Sequence, residues 1–231
     1  MPLRSNPLIY LASASPRRSA LLAQIGVEHT VRAVDVDEQV LPGENPAQYV
    51  SRLAVAKAER LWSQLGDTTG VAVLGSDTTV ALGSDILGKP LDRAHGLQML
   101  EQLSGRTHQV HTAVAMRFAA GCELRLSSSD VTMRTLTPEE MEAYWLTGEP
   151  VDKAGGYAIQ GVAALFIERI GGSYSGIVGL PLHETGELLR MIGWRMSTKS
   201  TNQTGTNPTG TNPPAMNDPA LGHGPRAGAR G

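Results

Sequence analysis

The chain has 231 residues, of which 41% are hydrophobic and 18% are charged, so it is long enough to bury a substantial core within one or two domains. Its formal net charge of -2 gives no overall attraction to nucleic acid or to an anionic membrane, so any anion site has to be local. The single cysteine excludes an internal disulfide and a cysteine-rich zinc site.

Strands and helices alternate along most of the chain. Apolar or alternating segments predict strands over residues 8–13, 28–34, 71–76, 108–118, 123–134 and 163–170. Helical spacing, N-terminal capping residues and glycine stop signals predict helices over residues 16–25, 46–65, 92–103, 137–146 and 181–192. This order indicates a mixed α/β domain with two lobes about a cleft.

The composition changes after residue 196, where Ser, Thr, Asn, Gly and Pro replace the large apolar side chains. A segment of that kind cannot bury enough surface to offset its ordering entropy. We therefore predict one globular domain over residues 1–196 and a disordered tail over residues 197–231, to which we assign no function. The N-terminal apolar run is shorter than a signal-peptide core and no stretch reaches transmembrane length, so we expect a cytoplasmic location.

The first predicted helix begins with two arginines. Ser15 is a preferred N-cap and Pro16 suits the first helical position, which places Arg17 and Arg18 in the first turn. Two cations are disfavoured there because the helix dipole already leaves partial positive charge at that end. A phosphate bound by the backbone N–H groups and the guanidinium groups would compensate this charge. A solvated pair of surface arginines is the alternative.

Candidate acidic and basic residues follow in the next segments. Asp35, Asp37 and Glu38 come after the second predicted strand and offer oxygen ligands of the kind that Mg²⁺ shares with substrate phosphates, or else form a solvated loop. Lys57 falls within the apolar stripe of the helix over residues 46–65. Its ammonium group therefore either reaches the surface along that stripe or points into a cleft beside the core.

Three further candidates follow later in the predicted domain. Asp77 ends an almost wholly apolar strand, where a carboxylate often marks a site in open α/β sheets, although it could instead cap a turn. Lys89 lies in a Gly-Lys-Pro turn, where simple solvation is the alternative. The glycine-rich segment 152–161 has neither P-loop nor dinucleotide spacing, but its Gln160 can pair with a base edge or satisfy loop backbone.

The candidates above belong to a longer set of short motifs, which in chain order are Ser13-x-Ser15-Pro16-Arg17-Arg18, Asp37-Glu38, Lys57-Ala58, Gly75-Ser76-Asp77-Thr78, Gly88-Lys89-Pro90, Leu103-Ser104-Gly105, Asp152-Lys153-Ala154-Gly155, Ile159-Gln160-Gly161 and Val178-Gly179-Leu180-Pro181. Taken together, these motifs resemble the Maf family of nucleoside triphosphate pyrophosphatases over about residues 8–193. The resemblance implies an inosine triphosphatase-like (Maf/Ham1) fold, with an elongated mixed sheet flanked by helices and two lobes around a cleft. It also implies hydrolysis of a nucleoside triphosphate between its α and β phosphates, with a divalent cation such as Mg²⁺ or Mn²⁺.

The resemblance further implies roles for individual residues. It makes Asp77 the catalytic aspartate, whereas Glu38 either binds the metal or shares the role of Asp77. The residues implied in substrate binding are Ser13, Arg17, Arg18, Glu38, Lys57, Thr78, Lys89 and Gln160. No nucleic acid or membrane partner is implied, and members of the family are often homodimers.

Three positions separate the branches of the family. At Arg17, Thr78 and Gln160 the 7-methyl-GTP branch has an aromatic residue, a glutamine and a glutamate, so this chain matches the dTTP/UTP branch. A neutral amide suits the imide edge of uracil or thymine. Ser76 stands where that branch commonly has alanine. The alternatives are a 7-methyl-GTP-type pyrophosphatase and a non-catalytic nucleotide-binding regulator of septum formation, and the resemblance also implies a housecleaning or cell-division-arrest role.

Overall fold

The computed structural model describes residues 6–196; residues 1–5 and the segment 197–231, on which the predicted tail falls, lie outside the described residues. Seven strands form one sheet: β1 (Leu8–Leu11), β2 (His29–Val31), β3 (Val71–Leu82), β4 (Asp85–Leu87), β5 (Thr107–Phe118), β6 (Gly121–Met133) and β7 (Ile167–Gly171). The described α-helices are α1 (Pro16–Gln24), α2 (Pro46–Trp62), α3 (Arg93–Leu103), α4 (Pro138–Leu146), α5 (Tyr174–Val178) and α6 (Leu182–Met191). Short 3₁₀ helices cover Glu149–Asp152, Ala154–Gly156 and Val162–Phe166. The predicted mixed α/β class is confirmed.

The sheet contains both parallel and antiparallel pairs of strands. Its order is β2-β1-β3-β5-β6-β7, and β4 pairs with β3 beside this path. Strand β1 is parallel to both of its neighbours, whereas the other pairings are antiparallel. Parallel neighbours require crossover connections, which α1 and α2 supply between β1, β2 and β3. Among the helices of residues 6–196, none has the length and apolar character needed to cross a membrane.

The hydrophobic core is divided along the length of β3. In the first half of this strand, Leu74 packs with β1, α1 and α6 on one face, and Val73 packs with α2 on the other. In the second half, Val80 packs with residues of α3 and α4. The four residues between these halves, 76–79, are all polar. The two expected lobes correspond to these apolar halves, and a cleft opens at the polar segment between them.

Helix α2 lies unusually close to β3 at Gly75. A Cβ atom at this position would lie 2.7 Å from the Ala58 backbone nitrogen and closer still to the Ala54 carbonyl oxygen. Only a residue without a side chain permits this approach. The close packing brings the polar segment of β3 next to the side of α2 that carries Lys57.

Strand β3 does not end where the sequence predicted. It continues through Asp77 to Leu82 because residues 80–82 are apolar and pair with β4 and β5. Asp77 therefore lies inside a strand rather than at its end, which corrects the prediction. Residues 163–166, predicted as the start of a strand, form a 3₁₀ helix before β7. Strand β4 and helix α5 were not predicted, since three and five residues are too few to show periodicity.

Candidate active site

The cleft between the two halves of the core has a volume of about 700 Å³. Its walls come from the β1–α1 connection, the loop after β2, helix α2, the middle of β3, the turn after β4 and the segment 152–160. It is lined by every site residue predicted from the sequence, which are Ser13, Arg17, Arg18, Glu38, Lys57, Asp77, Thr78, Lys89 and Gln160. Residues up to 147 positions apart in the chain therefore share one cavity.

A lysine bound to two carboxylates lies at the base of this cleft. Lys57 Nζ donates to Asp77 Oδ1 at 2.6 Å and to Glu38 Oε1 at 2.7 Å. Lys57 and Asp77 are both less than a tenth exposed, whereas Glu38 faces the open part of the cleft. Of the two alternatives for Lys57, the structure shows the one in which the ammonium group points into a cleft.

The two carboxylates of this cluster differ in protonation behaviour. Burial raises the pKa of Asp77 above its ordinary value of 3.8, although the charges of Lys57 and Arg18 act in the opposite direction. Partial burial also acts to raise the pKa of Glu38, but the hydrogen bond from Lys57 and the charges of Lys57, Lys89 and Arg18 outweigh it and lower that pKa. The buried Asp77 is therefore the better proton acceptor of the two.

The guanidinium group of Arg18 is held by neutral oxygen atoms. Its Nε donates to the Gly179 carbonyl at 2.8 Å, Nη1 to Ser13 Oγ at 3.0 Å and Nη2 to Thr78 Oγ1 at 3.1 Å. Burial lowers the pKa of this arginine, while Asp77 opposes the shift. Among the described residues, no carboxylate lies within ion-pair distance of Arg17 or Arg18. The cleft therefore holds cationic groups that lack anionic partners in the described chain.

The N-terminus of α1 opens on the same cleft. Ser15 is the N-cap residue as predicted and Pro16 begins the helix, but within residues 6–196 the Ser15 side chain accepts no bond from the first turn. Ser13 Oγ instead accepts from the Ser15 backbone N–H at 3.2 Å. Without a side-chain cap, the N–H groups of the first turn are available to an external acceptor.

The three positions that distinguish the branches of the family do not lie together. Arg17 and Gln160 line a second, shallower cavity of about 310 Å³ beside the cleft, against Leu21 of α1. Thr78 lies deeper, where its hydroxyl accepts from Arg18 and from Thr112 at 2.9 Å. The first two can therefore contact a ligand at the mouth of the cleft, whereas the hydroxyl of Thr78 contacts the arginine.

The three acidic residues predicted as a cluster after β2 do not come together as one group of ligands. Asp37 Oδ1 accepts from the Gln39 backbone N–H at 3.0 Å, as a turn residue does, while Asp35 lines the cleft separately. Within the part of the chain that the structure describes, no group of three or more His, Cys, Asp or Glu side chains is placed to hold a metal ion. Glu38 and Asp77 do fit Mg²⁺ in its usual protein setting, in which one or two carboxylates act together with substrate phosphates.

A set of residues that the sequence did not single out fixes the loop that carries Glu38. Arg52 Nε donates to Glu44 Oε1 at 2.6 Å, and its Nη2 donates to Glu44 Oε2 at 2.8 Å and to the Gln39 carbonyl at 2.9 Å. The Tyr49 hydroxyl donates to the Glu38 carbonyl at 3.0 Å. Helical spacing alone puts Tyr49 and Arg52 on one face of α2, but it does not reveal that the acidic loop lies against that face.

Comparison with known proteins agrees with these features. A family model described as Maf-like protein matches residues 8–192. A protein of Hahella chejuensis named dTTP/UTP pyrophosphatase is 49% identical over 185 residues, covering 80% of this chain and 92% of its own length. Proteins of the same name from Nitrosomonas europaea and Saccharophagus degradans are 51% and 53% identical, covering 80% and 78% of this chain and 94% and 87% of their own lengths.

Among solved structures, the Staphylococcus aureus Ham1 protein matches with a TM-score of 0.39 and 16% identity, over 54% of this chain and 71% of that one. The family match spans almost all the described residues, including all those that line the cleft, and each of the three relatives is about half identical to this chain. The chain therefore belongs to the Maf family.

Proposed function

We propose that this chain is a nucleoside triphosphate pyrophosphatase that hydrolyses dTTP and UTP to the nucleoside monophosphate and pyrophosphate. The observation that carries the proposal is the convergence of Arg17, Arg18, Lys57 and Lys89 on one cleft with the buried carboxylate of Asp77. A triphosphate is a ligand whose charge matches such a cleft. The names of the relatives, which are about half identical to this chain, support the same choice of substrate.

The triphosphate binds between the N-terminus of α1, which carries Arg17 and Arg18, and the turn after β4, which carries Lys89. The uncapped N–H groups of α1 and the guanidinium groups of Arg17 and Arg18 bind phosphate oxygens on one side. Lys89 binds from the turn after β4 on the other. Because Arg18 is already fixed by Gly179, Ser13 and Thr78, its donors are oriented before the substrate arrives.

Asp77 orients the attacking water and accepts its proton. Its raised pKa brings it closer to the range in which a carboxylate is an effective general base, which typically contributes about 10² to 10⁴ in rate. Lys57 holds this carboxylate in place at 2.6 Å. Glu38 and Asp77 would hold the divalent cation, Mg²⁺ or Mn²⁺, which when bound neutralises charge on the phosphates.

Gln160 recognises the base at the mouth of the cleft. Its amide offers one acceptor and two donors, which suit the N–H and carbonyl groups on the edge of uracil or thymine. Its exposure and its place in the cavity beside Arg17 support this role. Thr78 affects selectivity through the position of Arg18, which its hydroxyl contacts.

The family assignment also supports three broader proposals. We propose that residues 1–196 form the catalytic domain and that residues 197–231 are dispensable for the reaction. We further propose that the protein acts in the cytoplasm and that it forms a homodimer. Truncation at residue 196, followed by an activity assay and light scattering, tests the first and third of these.

A substrate panel tests the proposed reaction. The wild-type protein is incubated with dTTP, UTP, CTP and 7-methyl-GTP in Mg²⁺ or Mn²⁺, and pyrophosphate and orthophosphate are assayed separately. We expect pyrophosphate from dTTP and UTP. Preference for 7-methyl-GTP would indicate the other branch, and binding without any product would indicate a regulator.

Asp77→Asn tests the residue assignment in the same assay. This variant keeps the shape of the side chain, and Lys57 retains Glu38 as a partner, so we expect a folded protein with at least about 10²-fold lower turnover. Asp85→Asn, at the exposed first position of strand β4, is the matched control and should keep full turnover. Wild-type turnover by a folded Asp77→Asn protein would overturn the assignment.

A further inference from the structure

Gln160 lies in a tight turn that projects into the mouth of the cleft. The Gly161 backbone N–H donates to the Ala158 carbonyl at 3.0 Å, which closes a four-residue turn with Gln160 at its third position. Gln160 itself is exposed, and its side chain makes no hydrogen bond to the described residues. The backbone position from which its amide reaches a base is therefore set by the contacts that hold the turn.

Both ends of this turn are attached to two residues outside the cleft, Tyr144 at the end of α4 and Glu149 in the following 3₁₀ helix. The Tyr144 hydroxyl accepts from the Ala158 backbone N–H at 3.2 Å, at the start of the turn. Glu149 Oε2 accepts from the Val162 backbone N–H at 2.9 Å, directly after the turn. The Tyr144 hydroxyl donates to Glu149 Oε1 at 2.7 Å, so the two attachments form one network.

The surroundings of this pair restrict its movement. The Tyr144 ring is buried and packs edge to face against Phe166, with ring centroids 5.2 Å apart. Burial and the hydrogen bond to Glu149 raise the pKa of the Tyr144 hydroxyl, which stays protonated and keeps donating. A Cβ atom at Gly161 would collide with the Glu149 carboxylate, so the turn lies directly against that group.

Distinguishing one pyrimidine base from another requires the turn that carries Gln160 to be held in one position. A glutamine amide matches the edge of uracil, but by turning over it also presents donor and acceptor atoms to the edge of cytosine. Discrimination between these two bases therefore depends on where the turn places the amide and the adjoining backbone. A displacement of about 1 Å at a recognition group can cost about 10²-fold in rate.

We propose that Tyr144 and Glu149 are positioning residues that fix the turn 158–161 and so set the preference for uracil or thymine over cytosine. The inference rests on the proposed function, in which Gln160 reads the base. Neither residue lines the cleft, so neither touches the nucleotide. Their effect reaches the substrate through the backbone of the turn.

The test compares kcat/KM for UTP and CTP in four proteins: wild type, Tyr144→Phe, Gln160→Ala and the double variant. The ratio of the two values does not depend on the fraction of folded enzyme, which cancels. We expect Tyr144→Phe to lower the UTP/CTP ratio about 10-fold. We expect the double variant to be no less selective than Gln160→Ala alone, because the two residues act through one contact.

Glu149→Gln provides a second variant with a matched control. Tyr144 and Val162 donate to different oxygens of the Glu149 carboxylate, and the amide replaces one of those oxygens with an NH₂ group, which cannot accept. One of the two hydrogen bonds is therefore lost, and the UTP/CTP ratio should fall again. Glu142→Gln makes the same chemical change on α4, where Glu142 forms an exposed ion pair with Arg93 of α3, and it should leave the ratio unchanged.

The outcomes separate this inference from the function on which it rests. Wild-type selectivity in both Tyr144→Phe and Glu149→Gln would overturn the inference and leave the pyrophosphatase reaction intact. Equal hydrolysis of UTP and CTP by the wild-type protein would also overturn it. Failure of the wild type to release pyrophosphate from any of these nucleotides would overturn the proposed function, and the inference with it.

Discussion

The substitution Gly75→Ala connects the packing of α2 to the chemistry of the cleft. The new Cβ atom would lie 2.7 Å from the Ala58 backbone nitrogen, whereas ordinary contact begins at 3.4 Å. Both close neighbours are backbone atoms, so no flexible side chain can move aside. Helix α2 would have to move away from β3 by about 0.7 Å or more. Forcing one extra carbon into a packed interior costs about 1 to 3 kcal/mol of folding free energy.

The same displacement moves Lys57, which lies on α2 between the two backbone contacts of Gly75. Its Nζ donates to Asp77 Oδ1 at 2.6 Å, so a shift of this size displaces the carboxylate that orients the attacking water. We expect kcat per folded molecule to fall about 10-fold, given that about 1 Å of misplacement can cost about 10²-fold. Urea denaturation gives the stability, and pyrophosphate release, normalised to the folded fraction, gives kcat.

Gly66→Ala is the matched control for this variant. A Cβ atom at Gly66 meets no described atom within 4 Å, and the residue has no left-handed backbone conformation. This control should keep wild-type turnover and be equally or slightly more stable. If Gly75→Ala matched the control in both stability and turnover, α2 would not lie against β3 as described and the reasoning would be refuted.

Two further predictions concern charge. Lys57→Met removes a positive charge that lowers the pKa of Asp77, so that pKa should rise further and the acid limb of the kcat profile should move to higher pH. An unchanged acid limb would contradict this. The hydrogen bonds of Arg52 lower the pKa of Glu44 from 4.5 to about 2, so their stabilisation is present above pH 4.5 and is lost as the pH falls toward 2. Glu44→Gln should therefore be less stable than wild type in urea at pH 7, with a smaller difference at pH 3; a constant difference would argue against the ion pair.

The α-helices other than α5 could be predicted from the sequence because their signals are local. The capping boxes at Asn45 and Thr137 and the prolines that follow them begin α2 and α4 where expected. The end of β3 could not be predicted in this way, since a run of polar residues is typical of a strand end. Here the polar run faces the junction between two halves of the core, and the strand continues beyond it.

Only part of the candidate site could be predicted from the sequence. The residue types alone left a solvated alternative open for Arg18, Lys57 and Lys89, and the resemblance to a family was needed to choose between them. Contacts such as Arg52 with Glu44, or Tyr144 with Glu149, depend on how loops lie against helices. Sequence spacing carries no information about such packing, so these positioning residues became visible only in the structure.

Hydrolysis of dTTP in ¹⁸O-labelled water tests the central claim most directly, because it reports which phosphorus atom the water attacks. Mass spectrometry of the products from the wild-type protein should find one ¹⁸O atom in the nucleoside monophosphate and none in pyrophosphate. Label in pyrophosphate would mean attack on the β phosphorus, and labelled orthophosphate would mean cleavage of the γ phosphate. Either result would contradict an enzyme that delivers water to the α phosphorus.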